Sequence, residues 1–124
     1  MQTILVVDDE TGLLHILEVV LGRAGYRVLT AETGSEGYHK VCTTRPDLVL
    51  LDDMLPGISG TEICVKVKND PALNEIPVIM CSAGPRVRDP NYIRETGANA
   101  VLLKPFKPTD VLKKINEFLG GVGV

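Results

Sequence analysis

At 124 residues and 13.4 kDa, with 44% hydrophobic and 23% charged side chains, the chain has room for one compact domain and none for a second of ordinary size. Its net charge of -3 offers nucleic acid no general attraction, and no direct nucleic-acid binding is expected. The N-terminal apolar run meets two aspartates too soon to be a signal-peptide core or a membrane span, so the chain is expected to be cytoplasmic, without membrane contact.

Thr3 to Val7 (TILVV) is a continuous apolar, β-branched run that ends at Asp8 and Asp9, as expected of a parallel strand buried on both faces. Leu13, Leu14, Leu17, Val20 and Leu21 then recur at helical spacing and predict an amphipathic helix ending near Gly22 or Gly25. A second strand is predicted over Tyr26 to Thr30, a weaker helix over Ser35 to Thr43, and a third strand over Asp47 to Leu51. Thr61 to Val67 predicts another helix, with Ile63, Val65 and Val67 as its apolar positions, and Pro77 to Cys81 a fourth strand. Gly84 to Ala100 carries Pro85 and Pro90, which remove two backbone donors, so a loop is expected there, followed by a short helix capped by Asp89 and ending by Gly97. Ala100 to Leu103 is a fifth strand, and Val111, Leu112, Ile115, Phe118 and Leu119 mark a last helix introduced by Pro108 and Thr109. Residues 1 to 120 read as one domain, and 121 to 124 as a frayed tail or the start of a linker. Strands alternating with helices require parallel, right-handed crossovers, which makes the fold class α/β with a doubly wound sheet.

Cys42, Cys64 and Cys81 follow no metal-ligand spacing and lie in apolar stretches, so buried thiols are expected. His15 and His39 read as helix-surface residues, leaving little material for a zinc site or a catalytic triad.

Ligands of a doubly wound sheet bind at the carboxyl ends of its strands. Here those ends carry Asp8 and Asp9 after the first strand, Asp52 and Asp53 after the third, Ser82 after the fourth and Lys104 after the fifth. A lone aspartate after a strand is usually a turn or cap residue, but four of them with a lysine at one rim are not explained that way. Carboxylates gathered together repel one another and stay ionised cheaply only when a cation joins them, and an all-oxygen set suits a hard ion such as Mg²⁺ or Mn²⁺. One carboxylate is then free to attack phosphorus, with Lys104 and the ion offsetting charge on the phosphoryl oxygens and Ser82 hydrogen-bonding one of them. Neither GxxxxGK[ST] nor GxGxxG occurs, so no tightly held nucleotide is expected.

These residues resemble the response-regulator receiver domain of two-component signalling from about Thr3 to Leu119. The likeness is carried by Asp8-Asp9, by DDMLPGISG from Asp52 to Gly60, by Ser82-Ala83 and by KPF from Lys104 to Phe106, in that order and with matching separations. It implies a flavodoxin-like five-stranded parallel sheet of order 2-1-3-4-5 with helices on both faces, the fourth one irregular or shortened. Counted back from Pro56 and Gly60, the phosphoacceptor it implies is Asp52, with the side chain of Asp53 pointing elsewhere. It further implies Mg²⁺ held by Asp9, Asp52 and the Met54 backbone carbonyl, Asp8 orienting a metal-bound water, Lys104 paired with Asp52 at rest, and Ser82 as the switching hydroxyl.

Family members take the phosphoryl group from the phosphohistidine of a sensor histidine kinase or histidine phosphotransfer protein. They catalyse the transfer largely themselves and hydrolyse the product slowly, so the chain is expected to be a signalling phosphoprotein rather than a turnover enzyme. An effector domain or protein, or a second copy, would read the switched surface. Two departures stand out: Val101 occupies the place where the family often has an aromatic, and prolines interrupt residues 85 to 90. The rival expectation is a receiver-like scaffold that binds its partner without phosphorylation.

Overall fold

The computed structural model describes residues 1–84 and 89–120, and the predicted loop at 85–88 and tail at 121–124 lie outside the described residues. In chain order the elements are β1 (Thr3–Val7), α1 (Thr11–Arg23), β2 (Arg27–Ala31), α2 (Gly34–Thr44), β3 (Leu48–Asp52), α3 (Gly60–Asn69), β4 (Val78–Ser82), α4 (Asn91–Thr96), β5 (Ala100–Leu103) and α5 (Pro108–Leu119). The five strands form one sheet of order β2-β1-β3-β4-β5, every pairing parallel, which is the expected doubly wound α/β topology. No helix among the described residues is long and apolar enough to cross a membrane.

The period-two alternation of the strands sorts the core into two layers. Ile4 and Val6 of β1, Leu48 and Leu50 of β3, and Ile79 and Cys81 of β4 pack with Leu14, Leu17 and Leu21 of α1 and with Val111 and Ile115 of α5. Leu5, Val7, Val49, Leu51, Val78 and Met80 face the other way, onto Val41 of α2, Ile63, Cys64 and Val67 of α3, and Tyr92 of α4. β1, β3 and β4 are therefore covered on both faces, which is why they read as unbroken apolar runs.

Strands β2, β3 and β4 each begin and end one residue later than expected. Their limits are set by pairing rather than by the turn residues before them: Asp47 donates its N–H to Thr3, ahead of the first paired residue of β3, and Asp52 is still paired with Cys81. The inward row of α3 is Gly60, Ile63, Cys64 and Val67, correcting the expected 63-65-67 stripe, because a 3.6-residue turn puts i, i+3, i+4 and i+7 on one face. Cys64 and Cys81 are buried but Cys42 is exposed, since its neighbour Val41 takes the inward position of α2. His15 and His39 lie on helix surfaces as expected. The fourth helix is short, six residues; its N-cap is Pro90 rather than the expected Asp89, whose carboxylate accepts the Asn91 N–H at 2.9 Å from one position earlier, and Gly97 closes the helix at φ 79°.

Gly60 shows why the loop after β3 needs a glycine at that position. A Cβ there would stand 1.9 Å from the Asp52 carbonyl oxygen, so α3 starts in direct contact with the backbone of the residue that ends β3. Gly60→Ala is expected to cost about 3 kcal/mol or more, because the obstacle is backbone and cannot rotate aside. Exposed Gly12 in α1 has nothing within 4 Å of a Cβ built there, and Gly12→Ala should instead stabilise by about 0.5–1 kcal/mol. Urea unfolding of both variants checks the contrast.

Candidate phosphoacceptor and metal site

Asp8 continues the alternation of Ile4 and Val6, Asp52 that of Leu48 and Leu50, and Lys104 that of Ala100 and Leu102, so all three emerge at the rim on the α1/α5 side of the sheet. Asp8, Asp9 and Asp52 each bring a carboxylate oxygen within 4.8 Å of the others, with Asp8 and Asp52 buried and Asp9 exposed. The Lys104 ammonium lies 2.8 Å from Asp8 Oδ2 and 3.4 Å from Asp52 Oδ2. The expected Lys104–Asp52 pair is thus shared, and its shorter arm goes to Asp8. The other oxygen of Asp8 accepts the Glu10 N–H at 2.9 Å, a turn contact that fixes the carboxylate where α1 begins.

The charge balance at this rim is incomplete. Burial, and next the Asp8 charge, push the Asp52 carboxyl up to about 6, against the opposing pull of Lys104 and the Met54 N–H. Burial works to lower the Lys104 ammonium, but Asp8 and Asp52 outweigh it and hold the group above the usual lysine range. One ammonium against three clustered carboxylates leaves surplus negative charge, and all the donors are oxygens, so the residues present fit a hard divalent ion. Asp9, the exposed carboxylate of the three, has the freest approach. Met54 is 75% exposed, and its N–H lies 3.4 Å from Asp52 Oδ1, which keeps its peptide beside the same carboxylate.

Asp53 and Ser82 form a separate pair. They continue the opposite alternation, Asp53 with Val49 and Leu51 and Ser82 with Val78 and Met80, and so leave the sheet on the α3/α4 side. Ser82 Oγ donates to Asp53 Oδ2 at 2.6 Å and accepts the Gly84 N–H at 3.0 Å. Asp53 does point away from the acidic cluster, as expected, but its partner was not foreseen from the sequence. The available signal was the shared alternation of the two residues, which becomes a contact only once β3 and β4 are known to be paired with Asp52 opposite Cys81.

Lys104 precedes a cis peptide bond to Pro105, and a recess of about 380 Å³ opens beside it, lined by Glu10, Leu13, Ala83, Lys104, Pro105 and Phe106. Val101, where the resemblance sets an aromatic, is half-buried against the α2/α3/α4 layer.

Comparison with known proteins bears on the family and the fold. A sequence model described as the response regulator receiver domain matches residues 4–116. The phosphate regulon transcriptional regulatory protein PhoB of Pseudomonas aeruginosa is 37% identical over 124 residues, covering 98% of this chain and 53% of that protein. The alkaline phosphatase synthesis transcriptional regulatory protein PhoP of Bacillus subtilis is 37% identical over 94% of this chain and 48% of its own length. The chain therefore spans about half the length of the curated relatives it matches. Among solved structures, a CheY-like receiver domain protein of Methanospirillum hungatei superposes with a TM-score of 0.88 at 32% identity, over 97% of this chain and 94% of that one. TrrA of Thermotoga maritima, solved in complex with Mg²⁺ and beryllofluoride, superposes with a TM-score of 0.83 at 30% identity, over 95% and 99% of the two chains.

Proposed function

Because the chain belongs to the response regulator receiver family, we propose that Asp52 accepts a phosphoryl group from the phosphohistidine of a sensor kinase or histidine phosphotransfer protein. The observation that carries this reading is the placement of buried Asp52 within reach of Asp8, Asp9 and the Lys104 ammonium at one rim. An Asp52 carboxylate oxygen attacks phosphorus, an O–P bond forms, and the P–N bond breaks with its electron pair leaving on the imidazole nitrogen of the donor. At neutral pH the Asp52 carboxyl, pushed up to about 6, is still mostly ionised and therefore nucleophilic. Lys104, tethered by Asp8, sits where its charge can follow the phosphoryl oxygens.

Asp9, Asp52 and the Met54 carbonyl would hold Mg²⁺ or Mn²⁺, with Asp8 orienting a bound water, and the ion would supply charge neutralisation at the transferring group. The two donors already on Asp8, Glu10 N–H and Lys104, support such an outer role for it. Hydrolysis then returns the carboxylate, so the domain acts as a timed switch whose altered surface is read by an effector domain, a separate effector or a second copy.

The test is incubation with acetyl phosphate and Mg²⁺, followed by intact-mass and peptide mapping. One phosphoryl group per chain, located at Asp52 and released by hydroxylamine, is the expected result. An unchanged mass with acetyl phosphate and with phosphorylated kinases would instead leave the phosphate-independent scaffold as the function.

A further inference from the structure

We propose that Asp53 is a positioning residue that latches the Ser82 hydroxyl away from Asp52, and so sets how far phosphorylation must work to throw the switch. The inference rests on Asp52 being the phosphoacceptor and adds a residue to that site. A serine hydroxyl carries a single proton, and here it is committed to the Asp53 carboxylate at 2.6 Å, a length typical of a charge-assisted O–H···O⁻ bond. While that bond stands, Ser82 has nothing to donate to a phosphoryl oxygen on Asp52. Ser82 is fully buried, which keeps water from taking its place in the exchange.

Three features make the latch costly to open. The other carboxylate oxygen, Asp53 Oδ1, is buried and has no hydrogen-bond partner among the described residues, so releasing Ser82 strips the carboxylate of its one side-chain donor there. The Asp53 backbone is pinned on both sides, its N–H donating to Cys81 at 3.1 Å and its carbonyl accepting from Gly60 at 3.2 Å, so the main chain does not carry the carboxylate along with the hydroxyl. The Ser82 oxygen also holds the Gly84 N–H, which ties the start of the following loop to the latched position. Asp52 and Asp53 thus compete for one proton from opposite sides of the sheet, and transfer of the hydroxyl to the phosphoryl oxygens moves Gly84 with it.

The test is a titration with beryllofluoride, a phosphoryl mimic, at fixed Mg²⁺, followed through the amide resonances of Ser82 and Gly84. Asp53→Ala is expected to tighten apparent binding by about tenfold or more, and Asp53→Asn, whose neutral carbonyl still accepts, by a smaller factor. Removing a nearby negative charge would also help an anion bind, so the deciding arm is the Ser82→Ala background. There Asp53→Ala should keep only the part due to the lost charge and gain clearly less than it does beside Ser82, because the hydroxyl that it latches is gone. Equal affinity of wild type and both Asp53 variants overturns the latch, and so does a gain that is just as large without Ser82. If Asp53→Ala does not fold, the near-isosteric Asp53→Asn carries the same comparison. A wild type that neither responds to beryllofluoride nor takes up phosphate overturns the phosphoacceptor reading and the latch together, whereas a responding wild type matched by its Asp53 variants overturns the latch alone.

Discussion

Asp52→Asn is expected to abolish phosphoryl uptake and, in metal-free protein at neutral pH, to raise stability by about 1–2 kcal/mol. The loss of uptake follows from the amide, which has no anionic oxygen to attack phosphorus. The gain in stability follows from the Asp52 carboxyl standing at about 6 in the fold, above its ordinary value near 3.8. A carboxyl raised by folding binds its proton more tightly in the native state, so its ionised form works against the fold. Above about pH 6 the group is ionised in both states and the penalty is complete. As pH falls through 6 toward 4 the native protein takes up the proton first and wild-type stability recovers, and below about pH 4 both states are protonated. The full shift would correspond to about 3 kcal/mol, and solvation at the rim reduces it. Urea unfolding in EDTA should therefore show the advantage of the asparagine variant at about pH 7.5 and its disappearance near pH 4. A variant no more stable than wild type at neutral pH would contradict the crowding of carboxylates at this rim. If the proposed site holds Mg²⁺, the ion binds the native form only and should raise the wild-type midpoint more than that of the variant, which would lack a ligand.

Lys104→Ala should move metal-free stability the other way. Its ammonium, with a side chain only 16% exposed, is the cation paired with Asp8 and Asp52, and removing it leaves three carboxylates within 4.8 Å without it. Breaking one side of a buried ion pair costs about 3–5 kcal/mol, and partial exposure brings the expected loss here to about 2–3 kcal/mol. Millimolar Mg²⁺ should restore much of it, because a divalent ion supplies the missing charge. The variant should still have its nucleophile, yet take up phosphate slowly and show little amide-resonance change at Ser82 and Gly84 afterwards. A metal-free midpoint equal to that of wild type, or an undiminished spectral response to phosphorylation, would remove Lys104 from both roles.

The strands, the helices and the acidic rim were legible in the amino-acid order because each depends on short-range pattern. Five apolar runs alternating with helical stripes imply a parallel sheet, and polar residues placed just after such runs must arrive at its carboxyl edge. Asp8, Asp9, Asp52 and Lys104 could be named in this way, whereas the glycine that lets α3 begin against the Asp52 carbonyl entered only through the family resemblance. The limits of β2, β3 and β4 missed by one residue because a strand stops where its neighbour stops pairing, and that neighbour lies elsewhere in the chain. Cys42 missed because an apolar stretch around a helix does not say which of two adjacent residues turns inward. Tertiary structure alone decided that Lys104 divides itself between Asp8 and Asp52, and that Asp53 and Ser82, 29 residues apart, are joined by a hydrogen bond. Periodicity within a segment assigns a side chain to one face of its own strand; which side chain it meets there depends on the register between strands, and that is settled only when the layers pack.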